Sequence, residues 1–181
     1  MVDVIHIDAM QIKLTLCWVK PKVTRVLIVP AMWMLSDLHK GICQAMGWEG
    51  RGKEEFCVIE NGYDRVGVSP DEEDEVYWSM LNYISLEDMF SSTKKMLYRY
   101  DIDDDWEHIV ELEKRFKFPG SMAPCCIDGI NASPPEDIGG PDEYRKFCRV
   151  MAKHTHKLHV QLVQKYGSFD PSKFDPELIA F

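Results

Sequence analysis

The chain has 181 residues, 45% apolar and 28% charged, with 21 basic against 30 acidic side chains and a net charge of −9. This length is enough for one domain burying about 70% of its unfolded surface, and the composition excludes wholesale disorder. The acidic balance excludes nucleic-acid binding through a generally basic surface.

Gln11–Cys17 alternates, with Ile12, Leu14 and Leu16 on one face, and predicts a half-buried strand. Lys20-Pro21-Lys22 makes a turn, and the β-branched run Val23–Pro30 returns as a second strand. A helix follows, with Ser36 as N-cap, Leu38, Ile42, Ala45 and Met46 at helical spacing, and Gly47 as stop. Glu54–Glu60 reads as a third strand, Gly62–Glu75 as an acidic loop, and Leu86–Phe90 as one helical turn. Met96–Glu113 as a single strand would reach about 59 Å, against a radius of gyration of about 16 Å for a domain this size. It must fold back, and Asp101–Asp105 carries the turn chemistry. From Pro119 to Gly140, prolines and glycines predict a long loop, a feature that is usually functional or pinned by side chains. Pro141 opens a helix with Tyr144, Phe147, Cys148 and Met151 on its apolar face. His154–His156 breaks it, Lys157–Tyr166 resumes, and the tail Phe169–Phe181 docks on the body. The expected architecture is a single α+β domain spanning residues 1–181. Its mixed or antiparallel sheet begins with a β-hairpin and a crossing helix, in β-grasp-like order, and C-terminal helices pack beside it.

No apolar run approaches the roughly 20 residues of a membrane span, and MVDVIHIDAM lacks the basic region of a signal peptide. The six cysteines follow no CxxC or zinc-finger spacing, and most sit in apolar patterns, as buried thiols of a reducing compartment do. A cytoplasmic protein is expected, without a structural zinc. Charge is uneven: Tyr144–Phe169 contains no acid and six Lys or Arg, from Arg145 to Lys165. Pairing of this basic helix with the acidic hairpin is the simpler expectation, and a nucleic-acid contact through Arg145–Lys165 the alternative.

Two stretches concentrate polar, aromatic, Pro and Gly residues: YRYDIDDDWEH (Tyr98–His108) and CIDGINASPPEDIGG (Cys126–Gly140). They supply a candidate polar site of Asp101, Asp104, His108, Cys126, Asp128, Glu136 and Asp137. Clustered carboxylates with one imidazole could hold a divalent ion, Mg or Mn, and activate water. The alternative is architectural, with acids capping turns and accepting backbone N–H groups. Trp48, Tyr100 and Trp106 form a candidate aromatic wall, although aromatics at strand spacing are core residues more often than ligand platforms. His154, His156 and His159 are not spaced to share one helical face. The acidic run Asp71–Glu75 reads as a solvated loop, and no P-loop, dinucleotide fingerprint, serine elbow or zincin motif is present.

The ordered motifs DLHxxIxxxMGW (Asp37–Trp48), YxYDxxDDWEH (Tyr98–His108), CxDGxxAxPPEDxGGxxxY (Cys126–Tyr144) and FDPxxFD (Phe169–Asp175) resemble the Ri-plasmid open-reading-frame-three-like domain family, over roughly residues 10–180. The family usually reads DFGDDW, where this chain has Asp103 in place of the glycine. It also tends to carry His-Leu-His-Glu-Phe where this chain reads Gly52 to Phe56, so activity resting on those histidines is in doubt. The resemblance implies association with mobile elements and no defined reaction. The leading expectation is therefore a non-enzymatic binding or accessory module acting on an unknown protein or ligand. The alternatives are a metal-dependent, hydrolase-like enzyme and a nucleic-acid accessory protein.

Overall fold

A computed structural model describes residues 6–60, 64–68, 81–120 and 123–181. Strands β1 (His6–Leu16) and β2 (Thr24–Pro30) form the opening hairpin. Helix α1 (Leu35–Met46) leads to β3 (Glu54–Glu60) and β4 (Asp64–Val68), and a short helix α2 (Leu86–Ser92) precedes β5 (Lys95–Tyr100). Then come β6 (Trp106–Pro119), β7 (Cys125–Ile130), a 3-10 turn at Glu136–Ile138, and helices α3 (Gly140–Met151) and α4 (His159–Tyr166). The strands make one sheet in the order β4-β3-β5-β6-β1-β2-β7. Every pairing is antiparallel, which decides between the mixed and antiparallel alternatives.

The period-2 pattern sets which face is buried. Ile12, Leu14 and Leu27 point to the core face with Phe56, Tyr98, Tyr100, Trp106, His108 and Val110, and α1 lays Leu35, Leu38, Ile42 and Ala45 against them. Tyr144, Phe147 and Met151 of α3 join this core, and the tail packs Phe169, Phe174 and Phe181 onto it.

Several elements depart from the sequence expectation. Helix α1 begins one residue before Ser36, because Leu35 N–H donates to Ile84 O at 3.0 Å and Leu86 N–H to Trp33 O at 2.8 Å, fixing the chain at the helix entrance. The cap contact is made by Asp37, whose carboxylate accepts from Met34 N–H at 3.2 Å, and Gly47 ends the helix at φ 72° as expected. Part of the expected acidic loop is strand β4, paired with β3 from Phe56↔Val68 to Glu60↔Asp64, while Asp71–Glu75 lies outside the described residues. The expected loop from Pro119 to Gly140 contains β7, which completes the hydrogen bonding of β2 and carries a register shift at Val26/Leu27. That bulge, together with Gly129 and Asp128, hid the strand from a search for alternation.

The buried face of β2 carries an arginine. Arg25 is 2% exposed, and its Nε donates to Ala45 O at the end of α1 (2.9 Å). Its terminal nitrogens donate to Thr24 O (2.6 Å), Asn131 O (3.0 Å) and Ser133 Oγ (2.6 Å). The Phe174 ring lies 3.7 Å from the guanidinium carbon. One side chain thus joins β2, α1, the segment after β7 and the tail.

Candidate functional site

The hairpin turn between β5 and β6 and the segment entering α3 meet at one end of the sheet. Asp101 and Asp105 take left-handed backbone conformations, φ 51° and 54°, which aspartate tolerates better than most residues. Asp104 N–H and Asp105 N–H both donate to Asp101 O, at 2.9 and 2.7 Å. Asp103 is not among the positive-φ residues, so the glycine that the family usually places there is not required. Asp104 Oδ2 accepts from Gly139 N–H at 3.2 Å. A Cβ on Gly140, whose φ is +82°, would lie 2.4 Å from Asp104 O. Gly140→Ala is therefore expected to cost about 2 kcal/mol through strain and clash together, read as a lower urea midpoint with unchanged m-value.

Glu136 performs a second closure. Its carboxylate accepts from Tyr100 Oη, from Glu49 N–H at 2.7 Å and from Gly50 N–H at 3.2 Å. Gly52 N–H donates to Tyr100 Oη at 3.1 Å. Trp48 stacks on Tyr100 with centroids 5.1 Å apart, touches Trp106 and His108 at 5.6 and 5.5 Å, and donates through Nε1 to Pro134 O at 2.9 Å. The expected aromatic wall of Trp48, Tyr100 and Trp106 is thus a contiguous stack inside the core, at 6, 0 and 0% exposure.

The seven candidate polar residues fall into separate environments. Asp101, Asp104 and Glu136 tie the turn and the α3 approach together as described. His108 is fully buried, and among the described residues neither its ring nitrogens nor Trp106 Nε1 finds a hydrogen-bond partner; burial pushes the imidazole pKa down to about 3. Cys126 is buried on β7 with its Sγ 3.5 Å from Asp128 O, and desolvation raises its thiol. The exposed Asp128 carboxylate accepts from Gly129 N–H at 2.7 Å. Asp137 contributes its backbone carbonyl to Tyr166 Oη at 3.2 Å. Among the described residues, no three His, Cys, Asp or Glu side chains gather in an arrangement able to hold a metal ion.

A polar cluster not anticipated from the sequence lies between α1 and the sheet. His39 Nδ1 stands 2.9 Å from Tyr98 Oη, and Cys43 Sγ is 3.9 Å from each. Glu54, buried on β3, occupies the second position where the family tends to carry histidine, and desolvation raises its carboxyl to about 7. At the first position, Gly52, any Cβ would come 2.9 Å from Asp101 Cα. A cysteine beside a histidine suggests a nucleophile, but here burial drives the Cys43 thiol up to about 12 and His39 down to about 4. Both groups are held neutral, the reverse of an activated thiolate pair.

Among the described residues no ion pair joins the acidic hairpin to the basic helix expected to neutralise it. Arg99 bridges Glu55 at 3.0 Å, Asp105 at 2.5 Å and Glu107 at 3.6 Å. On α3, Arg145 pairs with Asp142 and Lys146 with Glu143, both one turn away. The break after α3 brings His154 Nδ1 within 3.1 Å of His159 Nε2, a contact that helical spacing alone did not predict.

An exposed aromatic ring stands at this junction with no signal in the residue pattern. Trp18, just beyond β1, is 71% exposed yet has φ 62°, an unusual conformation for a bulky residue. Its Nε1 donates to Glu107 Oε2 at 2.8 Å, so the exposed ring is anchored. With Asp104, Asp105, Gly139, Gly140, Pro141 and Asp142 it lines an open cleft of about 500 Å³. The alternation through Leu16 carries no information about Trp18, because strand β1 ends at Leu16 and its phase ends there.

The match to known families extends over residues 8–178 and is to the Plasmid pRiA4b ORF-3-like proteins. The chain belongs to this family. An uncharacterized protein, y4hQ, of Sinorhizobium fredii is 34% identical over 169 residues, covering 90% of this chain and 83% of the relative. The chain is also similar to a crystal structure of a protein of unknown function, MM3350, from Methanosarcina mazei Go1. Its TM-score is 0.82 at 31% identity, over 97% of this chain and 99% of the other. Neither relative's description names a reaction. Among the described residues no helix is long and apolar enough to cross a membrane.

Proposed function

We propose that this pRiA4b ORF-3-like protein is a cytoplasmic, non-enzymatic binding module. Its recognition surface is the cleft where the Asp101–His108 hairpin meets the end of the Cys126–Gly140 segment. The observation that carries this reading is Trp18, an aromatic ring held in a strained backbone conformation and anchored through Glu107 while most of its surface faces solvent. Strain of this kind persists where the surrounding structure enforces it, and it clusters at ligand sites. Asp104, Asp105 and Asp142 line the cleft, and the two arginines paired with them, Arg99 on Asp105 and Arg145 on Asp142, leave the lining net negative. An indole face beside carboxylates suits a guanidinium or ammonium group, through cation–π attraction and charge-assisted hydrogen bonds. The occupant is thus a basic side chain of a partner protein. Asp104 fastens Gly139 to the hairpin turn that lines the cleft, and Arg99 holds Asp105. None of the six cysteines is in a disulfide, which supports the reducing compartment.

Calorimetric titration with a blocked arginine-containing peptide tests the proposal. Saturable binding is expected, weakened about fivefold to tenfold in Trp18→Ala. This substitution leaves every charge in place. Unchanged affinity in Trp18→Ala would reduce the interaction to general attraction by an acidic protein and overturn the assignment.

A further inference from the structure

A second opening lies one helical turn further along α3. Lys20, from the turn between β1 and β2, faces Arg145, Cys148, Arg149 and Ala152 of α3 across a cavity of about 470 Å³. Three of its five lining residues are cationic, in a protein of net charge −9. Arg145 is partly committed to Asp142. Arg149 uses its Nε on Arg145 O, at 3.2 Å, and among the described residues neither its terminal nitrogens nor Lys20 Nζ has an acidic partner. No acid occurs anywhere between Tyr144 and Phe169. Three cations from two separate elements with only one paired carboxylate among them repel one another, and a bound anion relieves that repulsion.

We infer that this cavity is a phosphate-binding site, distinct from the Trp18 cleft. Guanidinium forks beside an ammonium match a tetrahedral oxyanion carrying more than one charge, whereas a single carboxylate would occupy one fork. Cys148 lies half-buried in the wall with its thiol raised by desolvation, so it contributes packing and no charge. The same chemistry is offered by a free phosphate compound and by a phosphodiester backbone. Asp142 of the acidic cleft pairs with Arg145 of this cavity, so a carboxylate stands at its edge, which favours a short or terminal phosphate over a long duplex.

The test is titration of the full chain with inorganic phosphate, with pyrophosphate and with a single-stranded oligonucleotide, in wild type, Lys20→Gln, Arg149→Gln and Lys114→Gln. Saturable binding is expected, weakened about fivefold or more in Lys20→Gln and Arg149→Gln and unchanged in Lys114→Gln, which removes an exposed charge on β6. Phosphate or pyrophosphate binding would identify a free phosphate compound as the source. Binding by the oligonucleotide alone, with a salt slope reduced by about one in each cavity variant, would identify a nucleic-acid backbone. If no probe saturates, or if the cavity variants bind like wild type, the site does not exist. Trp18→Ala is expected to leave phosphate binding intact, so failure here and failure of the basic-peptide reading are separable.

Discussion

Arg25→Met is expected to lower the unfolding free energy by about 4 kcal/mol, out of the 5–15 kcal/mol typical of a domain. The guanidinium is buried and its neighbours are carbonyls and a hydroxyl: Ala45 O, Thr24 O, Asn131 O and Ser133 Oγ. Burial lowers its pKa to about 10, which leaves it protonated at neutral pH while recording the desolvation it bears. Methionine removes that desolvation cost and fills much of the volume. It also strands several buried acceptors, each worth about 1–3 kcal/mol when left unpaired, and the second effect outweighs the first. The cation–π contact with Phe174 goes as well, so the tail should loosen. Lysine does not rescue, because one ammonium cannot reproduce a planar fork reaching three elements. Urea denaturation measures the change, and a midpoint within about 0.5 kcal/mol of wild type would show that the arginine is incidental.

Acidification supplies the second large effect. His39 and His108 are held neutral in the folded state, with pKa values brought by burial to about 4 and about 3. Their folded values lie below the unfolded value of about 6.5, so the unfolded chain binds more protons as pH falls. Their contribution is fully present above about pH 6.5 and is lost on descent toward pH 3–4. Glu54 acts oppositely: with its folded pKa raised to about 7, the native state holds a proton that the unfolded chain releases above about pH 4.5. Two histidine protons against one carboxyl proton leave a net loss of about 2–3 kcal/mol between pH 6.5 and pH 4.5. His108→Phe removes one of the two histidines together with two unpartnered nitrogens. Its unfolding free energy should therefore change much less over the same interval. An equal pH slope in wild type and His108→Phe would show that the buried imidazole is not the source.

Much of this molecule is legible from residue pattern. The Ile12, Leu14, Leu16 alternation, the fold-back at Asp101–Asp105 and the apolar face of α3 rest on local periodicity and turn chemistry, and the structure has them where the pattern puts them. Strand β7 was invisible because an edge strand with a bulge has neither alternation nor a hydrophobic run, and β4 because its sequence resembles the polar run around it. Residue type and density single out the candidate polar residues but cannot distinguish a carboxylate that fastens a turn, as Glu136 does, from one that faces a ligand. Arg25 could have been found: the inward phase of Leu27 and Val29 on β2 places it on the core face. Trp18 could not, since its exposure depends on where β1 stops, and the ring is set by Glu107, 89 positions away in sequence.

The recognition cleft is tested most directly by following backbone and indole N–H resonances while a blocked arginine-containing peptide is added. Saturable shifts confined to the Trp18 indole and to the amides of Asp104, Asp105, Gly139 and Gly140 are the predicted result. Shifts spread evenly over the acidic surface, or a silent Trp18 indole at saturation, would contradict it.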